Sequence, residues 1–243
     1  MSFSEDNLDT ACVYSENAYD DNIVGATKVE SARTSTTAFV HRTPHLDIVV
    51  FRGTQQVRDW MYNVLSFPRP YKGRLCHAGF VRAHRSVWPE IRKLLDPAKK
   101  LLICGHSLGG ALAELSAWSC SEFKDVHLIT MGKPNVFFRP ARNGKMPWMK
   151  TQLSVVCGSD AVPRVPKFFF GPDGGQTQLY FDNSSGKGHV NPTKEFKKED
   201  WSVSDSVSDH FMDAYRKCVE DFDKSELPLD NLKISPTPWH PRK

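Results

Sequence analysis

The sequence is poor in the features that most simply classify a chain. No apolar run approaches the roughly 20 residues that a helix needs to cross a lipid bilayer. No Cys-x-x-Cys pair occurs, and no His, Cys and Asp cluster has metal-ligand spacing, so neither a metal nor an organic cofactor is expected. The six cysteines (Cys12, Cys76, Cys104, Cys120, Cys157 and Cys218) are scattered, several of them inside apolar runs. Cysteine there behaves as a small buried hydrophobe, which predicts free thiols rather than bridges. Charge of one sign is not concentrated anywhere. The 32 Lys and Arg against 28 Asp and Glu leave a net +4 spread along the chain. That is too weak to argue for a nucleic-acid partner, though it mildly favours transient contact with an anionic membrane surface. The opening MSFSEDNLDT is acidic and polar, unlike a secretory signal, and this predicts a cytoplasmic protein, with release by another route left open. There is no internal repeat.

What remains is ordinary globular material. The chain has 243 residues, 40% of them hydrophobic and 25% charged, enough for a core that holds a buried site. The reading is a single domain with its core at about 38–223 and a Pro-rich tail at 224–243. Thr37 to His41 and Leu46 to Arg52 read as a β-hairpin. Val57, Trp60, Met61, Val64 and Leu65 recur at helical spacing and give one apolar face. Ala78 to Leu95 is a second helical pattern, interrupted or restarted near Pro89. Leu101 to Cys104, Val126 to Met131 and Leu153 to Cys157 read as buried strands, and Phe168 to Phe181 as a Gly-rich hairpin region. A last helix spans about Ser208 to Asp223. Strands alternating with helices predict an α/β fold, a mostly parallel central sheet with helices on both faces.

Chemistry enters at Gly105-His106-Ser107-Leu108-Gly109. A serine exposed where a strand turns into a helix sits on a turn so tight that its neighbours carry almost no side chain. Gly-x-Ser-x-Gly relieves that crowding, and the following helix aims its N-terminal amides at the site. The apolar LLIC before it and the small-residue GGALAELSAW after it supply this context. Ser107 is therefore the candidate nucleophile of an α/β-hydrolase fold. A serine hydroxyl needs a histidine to take its proton, and the histidine needs a carboxylate to fix its tautomer. The expected chain order is serine, acid, histidine. Of Asp125, Asp160, Asp173 and Asp182, Asp160 directly follows a plausible core strand. Of nine histidines, order and position leave His189, in a Gly-Lys-Gly loop, and His210, just before a helix. The oxyanion formed on an attacked carbonyl needs backbone N–H donors. Leu108, next after the nucleophile, is one candidate, and Thr54, at the early strand-to-loop junction FRGT, is the other.

FRGTQQVRDW, HAGF (His77 to Phe80), GHSLGGALA, GSDAVPRVP and DHFMDAY stand in the order they have in the class 3 lipase family, the fungal-lipase-like α/β hydrolases, which this chain resembles from about Ala38 to Cys218. The resemblance implies Asp160 as the acid, followed by Val162-Pro163. It implies His210, in the family's Asp-His-x-x-x-x-Tyr pattern, as the base, and Thr54 as a main-chain oxyanion donor. It also implies that the segment after Thr54 includes a lid, which makes Val57, Trp60, Met61 and Val64 lid or acyl-groove candidates. The expected activity is hydrolysis of carboxylic esters of lipids, acylglycerols foremost, through an acyl-enzyme. A phospholipase A1, a soluble-ester esterase or an acyltransferase would use the same chemistry with a different pocket. A binding module that keeps the fold without activity is disfavoured by the intact Ser107, Asp160 and His210.

Overall fold

The computed structural model describes residues 5–54, 67–138, 146–166, 170–171, 176–200 and 208–223. Its centre is an eight-stranded sheet built from β1 (Thr27–Ser31), β2 (Thr36–Arg42), β3 (Leu46–Phe51), β6 (Lys100–His106), β7 (Val126–Met131), β9 (Met149–Cys157), β11 (Thr177–Phe181) and β12 (Gly188–Val190), side by side in that order. The five strands from β3 to β11 are parallel. The two margins, β1-β2-β3 and β11-β12, are antiparallel. Parallel strands covered on both faces read as continuous apolar runs rather than alternating ones. Accordingly β7 is buried at all six positions, and β6 at every position after Lys100.

Helices cover both faces. On one side α2 (Ala78–Leu94) and α3 (Leu108–Trp118) pack over Val49, Phe51, Leu101, Ile103 and Leu128. On the other, α1 (Glu5–Asn17) and α5 (Met212–Asp221) pack over Val50, Leu102, Ile129, Leu153 and Val155. A short helix, α4 (Lys194–Glu199), follows β12. From Gly109 onward α3 is buried all round, which explains its apolar and small composition.

Two expectations need correction. α2 runs unbroken through Pro89. An interior proline costs a helix about 3 kcal/mol. Here the buried stripe Phe80, Val81, Ala83, His84, Val87 and Ile91 continues on both sides of it. Val87 and Ile91, each worth about 1.5–3 kcal/mol when buried, keep the helix docked past the lost hydrogen bond. The described strands of the Phe168 to Phe181 stretch do not pair with each other as a hairpin would. β10 (Phe170–Gly171) pairs with β8 (Phe137–Phe138), in a small antiparallel sheet completed by β5 (Arg74–His77) and β4 (Pro68–Tyr71), whereas β11 joins the main sheet beside β9. All six cysteines are free thiols, five of them buried.

Candidate active site

The site is assembled at the carboxyl edge of the parallel strands. β6 ends at His106 and α3 begins at Leu108, so Ser107 alone makes the turn, at φ 56° and ψ −128°. A non-glycine residue in the left-handed region is strained by about 1–3 kcal/mol, and such strain persists where the surroundings over-determine it. The fit is that close: a Cβ on Gly109 would lie 2.1 Å from the Phe51 carbonyl oxygen.

Ser107, His210 and Asp160 meet although 50 and 103 residues separate the pairs. His210 stands at the end of a 3₁₀ turn (Ser208–His210) leading into α5, and Asp160 three residues beyond β9. All three are buried. His210 Nδ1 lies 2.8 Å from Asp160 Oδ2, and its Nε2 lies 2.9 Å from Ser107 Oγ. An ionised carboxylate can only accept, so Nδ1 carries the ring proton and Nε2 is left to accept from the serine hydroxyl. Asp160 also accepts from the Tyr215 hydroxyl at 2.6 Å and, through Oδ1, from the Val162 amide at 2.8 Å. Three donors thus hold the carboxylate in one orientation. Burial, with Asp160 beside it, pushes the Tyr215 phenol well above its ordinary range, so it remains a donor.

Two residues beyond these three were not singled out in the sequence. Tyr215 was quoted within DHFMDAY, where its spacing from His210 was the available signal. Tyr19 lies in the N-terminal segment and carried none. His106 Nε2 is 2.8 Å from the His210 carbonyl oxygen, which can only accept, so that nitrogen bears the hydrogen. Its Nδ1 must then accept from the Tyr19 hydroxyl, 2.7 Å away. Burial, and the His210 ring 4.7 Å away, depress the His106 pKa well below the ordinary range, so His106 is a neutral link between Tyr19 and the His210 backbone.

Thr54 is half-buried, three residues past the end of β3, whose last residue, Phe51, pairs with Gly105. Register therefore delivers the Thr54 segment and the Ser107 turn to the same edge. The segment is crowded: a Cβ on Gly53 would fall 2.0 Å from the Tyr19 hydroxyl oxygen. Leu108 opens α3, where backbone N–H groups lack helical acceptors. The lid candidates Val57, Trp60, Met61 and Val64 lie outside the described residues. The rejected candidates find each other instead: His189, in β12 rather than a loop, bonds Asp182 at 2.7 Å.

Comparison with known proteins places this geometry. The family model for class 3 lipases matches residues 48–170, half of the chain. A lipase from Rhizomucor miehei is 31% identical over 143 residues, which cover 51% of this chain and 38% of the relative. The secreted mono- and diacylglycerol lipase 1 of Fusarium solani is 31% identical over 135 residues, 51% of this chain and 40% of the relative. The chain thus matches well under half the length of these relatives. Among solved structures, a triacylglycerol lipase described as having a serine-protease triad superposes with a TM-score of 0.67 at 22% identity, over 85% of this chain and 95% of the other. Lipase II from Rhizopus niveus superposes with a TM-score of 0.64, also at 22% identity, over 85% and 92%. The cytoplasmic expectation is corrected by these relatives, fungal lipases of which one is named as secreted: they point outside the cell, and the polarity of the first ten residues is no counterweight. With its α/β-hydrolase architecture and half its length matched by the family model, the chain belongs to the class 3 lipase family.

Proposed function

We propose that this chain is a serine hydrolase that cleaves carboxylic esters of lipids, acylglycerols foremost. The observation that carries the reading is the unbroken path from Ser107 Oγ through the His210 ring to Asp160, at 2.9 and 2.8 Å, in a buried site. His210 Nε2 takes the proton as Ser107 attacks the ester carbonyl, and Asp160 stabilises the imidazolium that results. The Leu108 and Thr54 amides receive the oxyanion. His210 then returns its proton to the departing alcohol, leaving an acyl group on Ser107. Water, deprotonated by the same ring, releases the acid and restores the serine. The similarity to a relative named as a mono- and diacylglycerol lipase and to solved triacylglycerol lipases supports acylglycerols as the substrate class.

The test is turnover of p-nitrophenyl butyrate, p-nitrophenyl palmitate and a diacylglycerol emulsion by the wild type and Ser107→Ala. Activity on the long-chain ester and the emulsion, lost in the variant, is the expected result. Activity confined to the butyrate would replace the lipid reading with a soluble-ester esterase. Turnover that survives Ser107→Ala would end the proposal.

A further inference from the structure

Away from Ser107, the turn between β1 and β2 and the outer face of α2 enclose an open cleft of about 390 Å³. Four arginines line it: Arg33 from the turn, Arg69 from β4, and Arg82 and Arg85 one turn apart on α2. Among the described residues no carboxylate lines the cleft, and none of the four guanidiniums pairs with one. Four cations around one depression repel each other unless an anion sits among them.

The cleft is framed rather than loose. Ser86 Oγ donates to the Ala83 carbonyl at 2.7 Å, which uses its proton. Thr34 Oγ1 therefore donates to Ser86 Oγ, 2.6 Å away, and Thr36 Oγ1 to Thr34 Oγ1 at 3.0 Å. This row of hydroxyls fastens the β1–β2 turn to α2 and spends its protons internally. The charge that recognises an anion is supplied by the guanidiniums, of which Arg85 is steadied over the Tyr71 ring at 5.2 Å. Planar forks of this kind match phosphate oxygens two at a time, which favours phosphate over a spherical anion.

Register fixes where the turn that walls the cleft lies. Ser31 pairs with Thr36 and Ala38 with Phe51, so the turn lies at the carboxyl end of β3, on the edge of the sheet that carries Ser107. Three strand spacings, about 14 Å, separate β1 from the nucleophile's strand. An anionic surface that touched the cleft would therefore meet the edge where the ester is attacked.

We propose that this arginine cleft binds phosphate groups of a phospholipid surface and holds that edge of the sheet against it. The phosphate site rests on the arginines themselves, while the choice of a lipid surface as its source rests on the proposed lipid-ester hydrolysis. The test uses the full chain carrying Ser107→Ala, so that vesicles stay intact. Co-sedimentation is measured with phosphatidylcholine vesicles with and without 30% (roughly one lipid in three) phosphatidylglycerol, for the parent, Arg82→Gln/Arg85→Gln, and the charge-matched Lys93→Gln/Lys124→Gln at the opposite edge. The expected result is binding that needs phosphatidylglycerol, falls roughly tenfold in the arginine variant and at most twofold in the lysine variant. Equal losses in the two variants would mean diffuse attraction and overturn the site. Stabilisation by millimolar inorganic phosphate that depends on the arginines, with vesicle binding unaffected by them, would overturn the lipid source. Turnover of soluble p-nitrophenyl butyrate by the Ser107-containing protein is read separately and should be unchanged by Arg82→Gln/Arg85→Gln, so loss of the hydrolase reading and loss of the cleft are distinguishable.

Discussion

Two carboxylate–histidine pairs stand on neighbouring strands of the same sheet edge. Asp160 follows β9 and bonds His210 at 2.8 Å, and Asp182 follows β11 and bonds His189 at 2.7 Å. The strands are in register, Cys157 opposite Phe181, so the two acids emerge side by side. Their distances do not separate them. His210 is buried, and its second nitrogen meets Ser107, whereas His189 is partly exposed and rests its ring against Phe196, 4.6 Å away. Asp182 spends its oxygens on the next turn, accepting from the Ser184 hydroxyl and from the amide and hydroxyl of Ser185. A carboxylate–histidine contact alone therefore does not mark a catalytic pair. What distinguishes the first pair is a strained hydroxyl on the far side of the ring in a water-poor setting.

That contrast can be broken in measurable ways. Ser107→Ala should cost on the order of 10⁴–10⁶ in kcat, as expected when a nucleophile is deleted and only the oxyanion donors and binding remain. Asp160→Asn should cost roughly 10³–10⁴ because the wrong tautomer of His210 is then favoured. Asp182→Asn and His189→Ala should stay within about twofold of wild type, since neither touches a nucleophile. A large loss in either would move the acid or base to the second pair. Tyr19→Phe removes the donor that faces His106, and a roughly tenfold fall in kcat with KM unchanged is expected from steady-state kinetics with a soluble ester. Its failure to change kcat would show that the His106 link does not position His210.

The smallest effect belongs to stability, and there the second pair should dominate. Burial of Asp182 opposes its ionisation, yet hydrogen bonds from His189, Ser185 and Ser184 outweigh it and hold the carboxyl well below the usual carboxylate range. A folded pKa below the unfolded value, about 3.9, contributes stability that is present above that pH and is lost as pH falls through the folded value. Urea unfolding should therefore find Asp182→Asn less stable by about 1–3 kcal/mol at pH 7, with the gap closing as pH drops below about 4. A gap that persists unchanged at pH 3 would contradict this.

The same contrast explains how much could be read from the sequence. β3, β6 and β7 were legible because strands buried on both faces leave continuous apolar runs, and the Ser107 turn because its glycines are sterically obligatory. The position of Asp160 just after a core strand was legible. Asp182 follows one too, but β11 was hidden in a stretch that read as a hairpin, so the two acids did not look equivalent. His189 against His210 stayed open on chain order alone, because order does not report which ring faces Ser107. Tyr19 was invisible: its contact with His106 spans 87 residues and belongs to no periodic pattern. The small sheet was invisible for a related reason, since β8 and β10 are two residues each and gain their identity from partners far along the chain.

The central claim, that the buried pair and not its neighbour activates Ser107, is tested most directly by labelling with a fluorophosphonate, which reacts with an activated serine and is located by peptide mass mapping. The account predicts one phosphonate on Ser107 in the wild type and in Asp182→Asn at equal rates, with labelling slowed at least a hundredfold (an order-of-magnitude figure) in Asp160→Asn. Labelling at another serine, or slowed equally by Asp182→Asn, would contradict it.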